Sequence, residues 1–296
     1  MTSRLTTTND QISYGSFQPA SNDWIHSAPF LRMVPSELLQ YQGLVQLLLY
    51  FQWRWLGLMA TDDENGTYFL WTVEQMLLQK GICPAFSERL TKHIYFFDEI
   101  GTMIFERMDI LKNFMLSTAK VVLVHGETAS IIWLAVAIQT TQTMQYIFPW
   151  EKEKDSPKRV WVTTAQIDFT LFHFQKIIDV KPQIFHGALS FNIHAMQIQG
   201  FQQFLETVNP FWEEKDGFIH EFWSQAFNCF LFKINVLSLA FLPCNRKKTL
   251  KDLPAPYFEM SMLSHSIYNA VYALAHTLHA MYSTRVNHRP LEHGGI

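Results

Sequence analysis

Short aliphatic and β-branched runs alternate along the chain with longer stretches whose apolar residues recur at helical spacing. Leu44, Val45, Leu48 and Leu49 share one face of a helix predicted over Leu38–Phe51, with Ser36 placed after Pro35 as its N-cap. A strand over Trp55–Ala60 ends in Thr61-Asp62-Asp63-Glu64-Asn65-Gly66. These acidic and amide side chains suit the start of a helix over Tyr68–Gln79, which Gly81 stops. Cys83 opens another short strand, and Ile100, Ile104, Met108, Leu111 and Met115 approximate one stripe of a helix within Phe97–Thr118. Val121–His125 is a strand closed by Gly126, Thr128 caps a helix over Ile131–Gln139, and Arg159–Thr164 supplies the next strand. The order β, α, β, α, β predicts a parallel sheet with helices on both faces.

From Arg159 to Cys229 the pattern reads as a strand, a short link, a second strand and two helices. The first strand ends in a polar tip, Thr163-Thr164-Ala165-Gln166, and the second opens with His186-Gly187. The pair is expected to carry the chain out of one lobe and into another, and ligands of open α/β proteins bind where strand ends meet a crevice. Elsewhere, Gln11–Phe17 is strand-like, Pro149–Lys158 is a charged loop, Phe230–Tyr257 is mixed and loop-like, and a last helix covers Leu263–Tyr282.

Composition narrows the partners. A chain of 296 residues that is 48% hydrophobic buries a real core and is not a disordered chain. Lys+Arg 23 against Asp+Glu 26 gives a net charge of −3, with no run of like charges, which argues against nucleic acid and anionic membrane surfaces as partners. Met1–Asp10 has no apolar run to serve as a signal-peptide core. The longest apolar region, Leu44–Ala60, carries Gln46, Gln52 and Arg54, so no membrane span is expected. The three cysteines, Cys83, Cys229 and Cys244, are either buried thiols or a disulfide framework with one thiol left over.

Asp62, Asp63 and Glu64 gather three carboxylates at one strand end. That could bind a metal or a ligand amine, but capping preference favours a loop that caps a helix by about two to one. His276 and His279 lie one turn apart on a helix, a metal-ligand spacing, but without an HExxH pattern or a third ligand they read as an ordinary polar pair. The chain has no GxSxG elbow, P-loop, GxGxxG turn or CxxC, and its 12 glycines are not clustered to cradle a phosphate. No enzymatic chemistry is expected. Asn65-Gly66-Thr67 is a glycosylation sequon, relevant in a secreted chain. The residues by themselves describe an α/β binding protein of two lobes.

Several pieces of sequence go further: QISYGSF with Pro19, FLRMVPSE, FQWRWLGL followed by DDENG, KGICPAF, VWVTTAQ, FHGALSF, GFQQFL with NP, DGFIHEFWSQAFNC, and SIYNAVYALAHTLHAM. In this order and spacing they resemble the Venus-flytrap ectodomain of class C G-protein-coupled receptors, above all vomeronasal type-2 receptors. The resemblance runs from Gln11 to about Arg285. It implies a two-lobed, periplasmic-binding-protein-like α/β fold of parallel sheets flanked by helices, with lobe one incomplete. Residues 1–36 would end the first lobe-one segment, 37–183 would form lobe two, 184–285 would return to lobe one, and 286–296 would be a ragged tail. The chain is thus expected to be a receptor fragment, its full-length family lying on the extracellular side of the plasma membrane. The resemblance also implies a Cys229–Cys244 disulfide and leaves Cys83 to a partner beyond the chain.

In amino-acid-sensing relatives the ligand's α-carboxylate and α-amine are held by a hydroxyl, an acid, an aromatic and a strand-tip acid. The matching positions here are Phe17, Glu37, Asn65 and Ala165, and Ser16, Asp63, Glu64 and Gln166 complete the expected cleft. Only Glu37 keeps its chemistry. Each charge-assisted bond contributes about 1.5–3 kcal/mol, so two losses weaken a free amino acid on the order of a hundredfold or more. A larger ligand such as a peptide is expected instead, with no cofactor and no metal. The resemblance implies a homo- or heterodimer of ectodomains, signalling by lobe closure and a G protein reached through transmembrane helices. Competing classes are a free-standing solute-binding protein of the same fold, a dehydrogenase-like enzyme disfavoured by the missing Gly-rich turn, and a truncated non-functional product.

Overall fold

The computed structural model describes residues 11–15, 30–90, 113–147, 158–167, 182–212, 216–227, 229–231, 242–253 and 260–287. They form two compact units. One gathers the described residues of 11–37, 193–198 and 260–287, and the other those of 38–192 and 199–253.

The larger unit is built on Trp55–Thr61 (β3), buried at every position after the first. A strand buried on both faces needs helices above and below it, as in all-parallel sheets. Here β3 is flanked by Cys83–Leu90 (β4) on one side and Val121–His125 (β5) on the other, followed by Val160–Thr163 (β6) and Leu189–Ser190 (β7). The order is β4-β3-β5-β6-β7, and all neighbours are parallel. The helix Glu37–Tyr50 (α1) begins directly after Ser36, and Glu64–Gln79 (α2) connects β3 to β4.

Side-chain alternation sorts the two faces. Leu56, Leu58, Ala60, Val121, Leu123 and Val162 pack with Tyr41, Leu44, Leu48, Phe69, Val73 and Leu77 of α1 and α2. Met59, Val122, Val124 and Trp161 pack instead with Ile131, Leu134 and Ile138 of Thr128–Ile147 (α3), together with Phe114 and Phe185. Ile131–Ile138 are all buried, as expected for a helix covered on more than one side.

Several boundaries differ from the expected ones for local reasons. Asp63 rather than a later residue caps α2, so the helix starts at Glu64 instead of Tyr68. Thr128 is the first residue of α3, which runs to Ile147 rather than Gln139; no Gly or Pro interrupts the polar run Gln139–Gln142, and Pro149 is the first breaker. Of the helix expected within Phe97–Thr118, only residues 113–118 are described, with 113–116 helical.

Of the second strand expected after His186-Gly187, Leu189–Ser190 is a strand, and it pairs with β6 at the edge of this same sheet. A 3-10 turn, Pro182–Phe185, receives a hydrogen bond from Trp161 Nε1 at the Ile184 carbonyl (3.0 Å), which brings the segment back against β6.

The rest of this unit holds Phe201–Thr207 (α4), Gly217–Phe227 (α5) and the parallel pair Cys229–Phe230 (β8) and Leu242–Pro243 (β9). Cys229 and Cys244 are joined by a disulfide with Cα atoms 4.8 Å apart, and Cys83 is a free, exposed thiol at the start of β4. Lys251 pairs with Glu206 at 3.0 Å, tying a 3-10 turn at Leu250–Asp252 to α4.

In the smaller unit, Gln11–Ser13 (β1) lies parallel to Phe30–Arg32 (β2), and Met262–Asn287 (α6) extends five residues past the expected Tyr282. Gly15 lies close to Leu263 of α6, where an added Cβ would sit 3.6 Å from its side chain. Among the described residues no helix is long and apolar enough to cross a membrane.

Candidate functional site

The sheet order creates one special place. From β3 the chain winds through α2 to β4 in one direction, and from β5 through α3 to β6 in the other, so the carboxyl ends of β3 and β5 form a topological switch point. Open α/β sheets bind ligands in the crevice outside such a point. The rim is made of Thr61–Gly66, His125–Thr128 and, one strand further, Thr164–Gln166.

Thr61 joins the three chain segments that meet there. Its Oγ1 donates to the His125 carbonyl at 3.5 Å. Gly66, in the first turn of α2, sits so close that a Cβ would overlap the Thr61 carbonyl oxygen. Gly126 has φ +147°, and a Cβ on it would overlap the Thr61 hydroxyl. Glycine is thus required at both positions, by close approach at the first and by conformation as well at the second. The Thr164 N–H extends the ladder by donating to the Val124 carbonyl at 3.1 Å.

The acidic turn divides its roles. The Asp63 carboxylate accepts from the Gly66 N–H at 2.8 Å and caps α2, and its carbonyl receives the Thr67 hydroxyl at 2.8 Å. Asp62 pairs with Arg89 at 3.6 Å in a partly exposed position. Glu64 is exposed and Asn65 half-buried in the first turn, so the sequon lies inside a helix. Capping and ion pairing account for Asp62 and Asp63, and among the described residues no cluster of His, Cys, Asp and Glu is arranged to hold a metal ion. His276 and His279 are both exposed on α6.

Of the residues expected in the cleft, the rim brings together Asp63, Glu64, Asn65, Ala165 and Gln166. The β3 and β6 ends are two strand spacings, roughly 10 Å, apart. Ala165 is buried and Gln166 half-buried. Glu37 is the buried first residue of α1, and Ser16 and Phe17 lie outside the described residues.

Sequence reasoning passed over His125. It is 2% exposed, stacked on Phe69 (centroids 4.3 Å, planes 8° apart) and edge-on to Tyr41 (6.2 Å, 85°). Burial pushes the imidazole pKa down to about 4, against an upward pull from the Asp63 carboxylate. Its Nδ1 has no hydrogen-bond partner among the described residues. The signal was present: a polar residue ends an otherwise aliphatic run, directly before a glycine.

Residues 7–296 match the family described as receptor family ligand binding region. The chain belongs to this family. It is 31% identical over 282 residues to mouse vomeronasal type-2 receptor 26, an alignment that covers 93% of this chain and 30% of the relative. Mouse vomeronasal type-2 receptor 116 is 27% identical over 287 residues, covering 96% of this chain and 30% of the relative. The human extracellular calcium-sensing receptor is 26% identical over 300 residues, covering 92% of this chain and 25% of the receptor. The chain therefore spans about 30% or less of the length of these curated relatives. The parallel sheet flanked by helices is consistent with the fold of this family.

Proposed function

We propose that this chain binds an extracellular ligand at the switch-point rim, as part of the ectodomain of a chemosensory class C G-protein-coupled receptor. The observation that supports the reading is the close approach of Gly66 and Gly126 to Thr61 at the switch point, beside the Asp63–Asn65 turn and one strand from the Thr164–Gln166 tip, in a chain of the receptor family ligand binding region. In this reading a ligand closes two lobes because it binds the closed form more tightly, and only that difference moves the equilibrium. The full-length receptor would sit in the plasma membrane with this region outside. It would pair with a second ectodomain and reach a G protein through its membrane helices. In this reading Cys83, an exposed free thiol, is available to pair with another cysteine of the receptor. The role is binding, not catalysis.

The ligand class follows from what the rim lacks. Ala165 puts a buried methyl group where amino-acid-sensing relatives place an acid, which removes the anchor for an ammonium. Glu37 remains, and a peptide makes enough further contacts to replace the lost ones. Calorimetry on an intact ectodomain carrying this sequence tests it: free amino acids are expected to bind no tighter than about millimolar, on the order of a hundredfold loss for two missing charge-assisted bonds. Micromolar binding of a free amino acid, abolished by Glu37→Ala, would contradict the proposal.

A further inference from the structure

Three rings from three elements meet under the rim. His125 ends β5, Phe69 belongs to α2 and Tyr41 to α1, and Tyr41 is also edge-on to Phe69 at 5.2 Å and 77°. The same residue's carbonyl accepts the Thr61 hydroxyl, so backbone and ring of His125 together tie β3, β5, α1 and α2 to one point. A phenylalanine would fill this position at least as well by packing alone. An imidazole adds a group that can take up a proton in an apolar cluster, with Nδ1 lacking a partner among the described residues.

We propose that His125 is a positioning residue for the rim: its uncharged ring holds the start of α2, and with it the Asp63–Asn65 turn, against the ends of β3 and β5, and its protonation releases that turn. This rests on the rim being the binding site only for its consequence, the loss of ligand in acid. The positioning itself is readable without any ligand.

The charged and titratable groups of the surrounding elements are few. From α2 come Asp63, which pulls electrostatically on the imidazole, and the exposed Glu64; β3 ends in Asp62, paired with Arg89; Glu127 follows β5; and α1 contributes the Tyr41 phenol. Asp63 is the carboxylate whose charge favours an imidazolium at His125. Its carboxylate is already engaged with the Gly66 N–H, so attraction to a charged ring competes with the cap of α2.

The sign follows from linkage. The folded-state pKa, about 4, lies below the ordinary 6.5, so the opened state binds more protons between these values and opening becomes easier as the pH falls through that window. For an opening that exposes the ring, the equilibrium moves about twentyfold toward the open form between pH 7 and pH 5.

Hydrogen exchange on the whole chain, corrected for intrinsic rates, reads this at the Gly66 and Thr67 amides. The expected result is a loss of protection of about twentyfold from pH 7 to pH 5 that His125→Phe abolishes. His125→Ala, which removes the ring, is expected to lower protection at both pH values. Equal acid sensitivity in the native chain and His125→Phe overturns the proposal. If His125→Phe does not fold, the imidazole resonances of the native chain decide it: a His125 titration near the ordinary value of 6.5 overturns the proposal, and one displaced far below supports it. A chain that behaves as expected here but binds no ligand at the rim refutes the functional reading and leaves the positioning role standing.

Discussion

At the residue scale the rim depends on atoms that are absent. Gly66 and Gly126 both face Thr61 at distances that no side chain tolerates, and this close approach lets the first turn of α2 and the loop after β5 converge on the end of β3. Gly66→Ala is expected to destabilise the fold by about 2–3 kcal/mol, because the overlap is with backbone and cannot be relieved by a rotamer change. A denaturant titration measures it as a lowered midpoint with unchanged slope. A change under about 0.5 kcal/mol, the size of an ordinary surface substitution, would mean that the helix start yields easily. The acidic cluster has the capping role that its place before a helix favours. Three carboxylates in a row invite a metal or an amine, yet Asp63 spends its charge on a cap and Asp62 on Arg89.

At the element scale, Arg159 organises the other end of the sheet. Its guanidinium lies over the Phe114 ring at 3.9 Å and donates to the carbonyls of Phe114 (2.5 Å) and Ser117 (3.2 Å). It thus satisfies acceptors beside the helical turn at 113–116, as a basic residue at a helix C-terminus does. Burial pushes its pKa down to about 10, which leaves it charged at neutral pH. Arg159→Met keeps much of the stem but loses the donors and the stacking, and it is expected to cost about 2–3 kcal/mol from two charge-assisted bonds and one cation–π contact. Thermal unfolding of the two chains side by side checks this.

The central strands are legible because each is a short apolar, β-branched run: the expected limits of β5 match the observed ones, and those of β3 and β6 lie within one residue, whereas β9 falls in a stretch whose mixed pattern predicts a loop. Helix ends were less legible. The true cap of α2 is one of two adjacent aspartates, and α3 continues through a polar run that does not itself break a helix.

At the scale of the whole molecule, the sequence revealed a parallel α/β architecture but not which strands share a sheet. The strand expected to open at His186-Gly187 pairs with β6 at Leu189–Ser190, a pairing that depends on contacts from outside the segment, among them the Trp161 bond to Ile184. Motif order marks Asp63, Glu64, Asn65, Ala165 and Gln166 as cleft candidates and the strand order gathers them on one rim, whereas Thr61, His125 and the two glycines beside them become visible only once β3 lies next to β5. At the opposite end of the sheet a shallow groove of about 540 Å³, bordered by Trp55, Phe86, Glu88, Asn113 and Leu116, offers an alternative place for a ligand.

A hydrogen-exchange footprint on an intact ectodomain carrying this sequence, with and without a pool of short peptides, separates these two places. Binding at the switch point predicts peptide-dependent protection at residues 61–66, 125–128 and 163–167, with no change along β4. Protection confined to β4 and residues 113–118, or none anywhere at millimolar peptide, would contradict it.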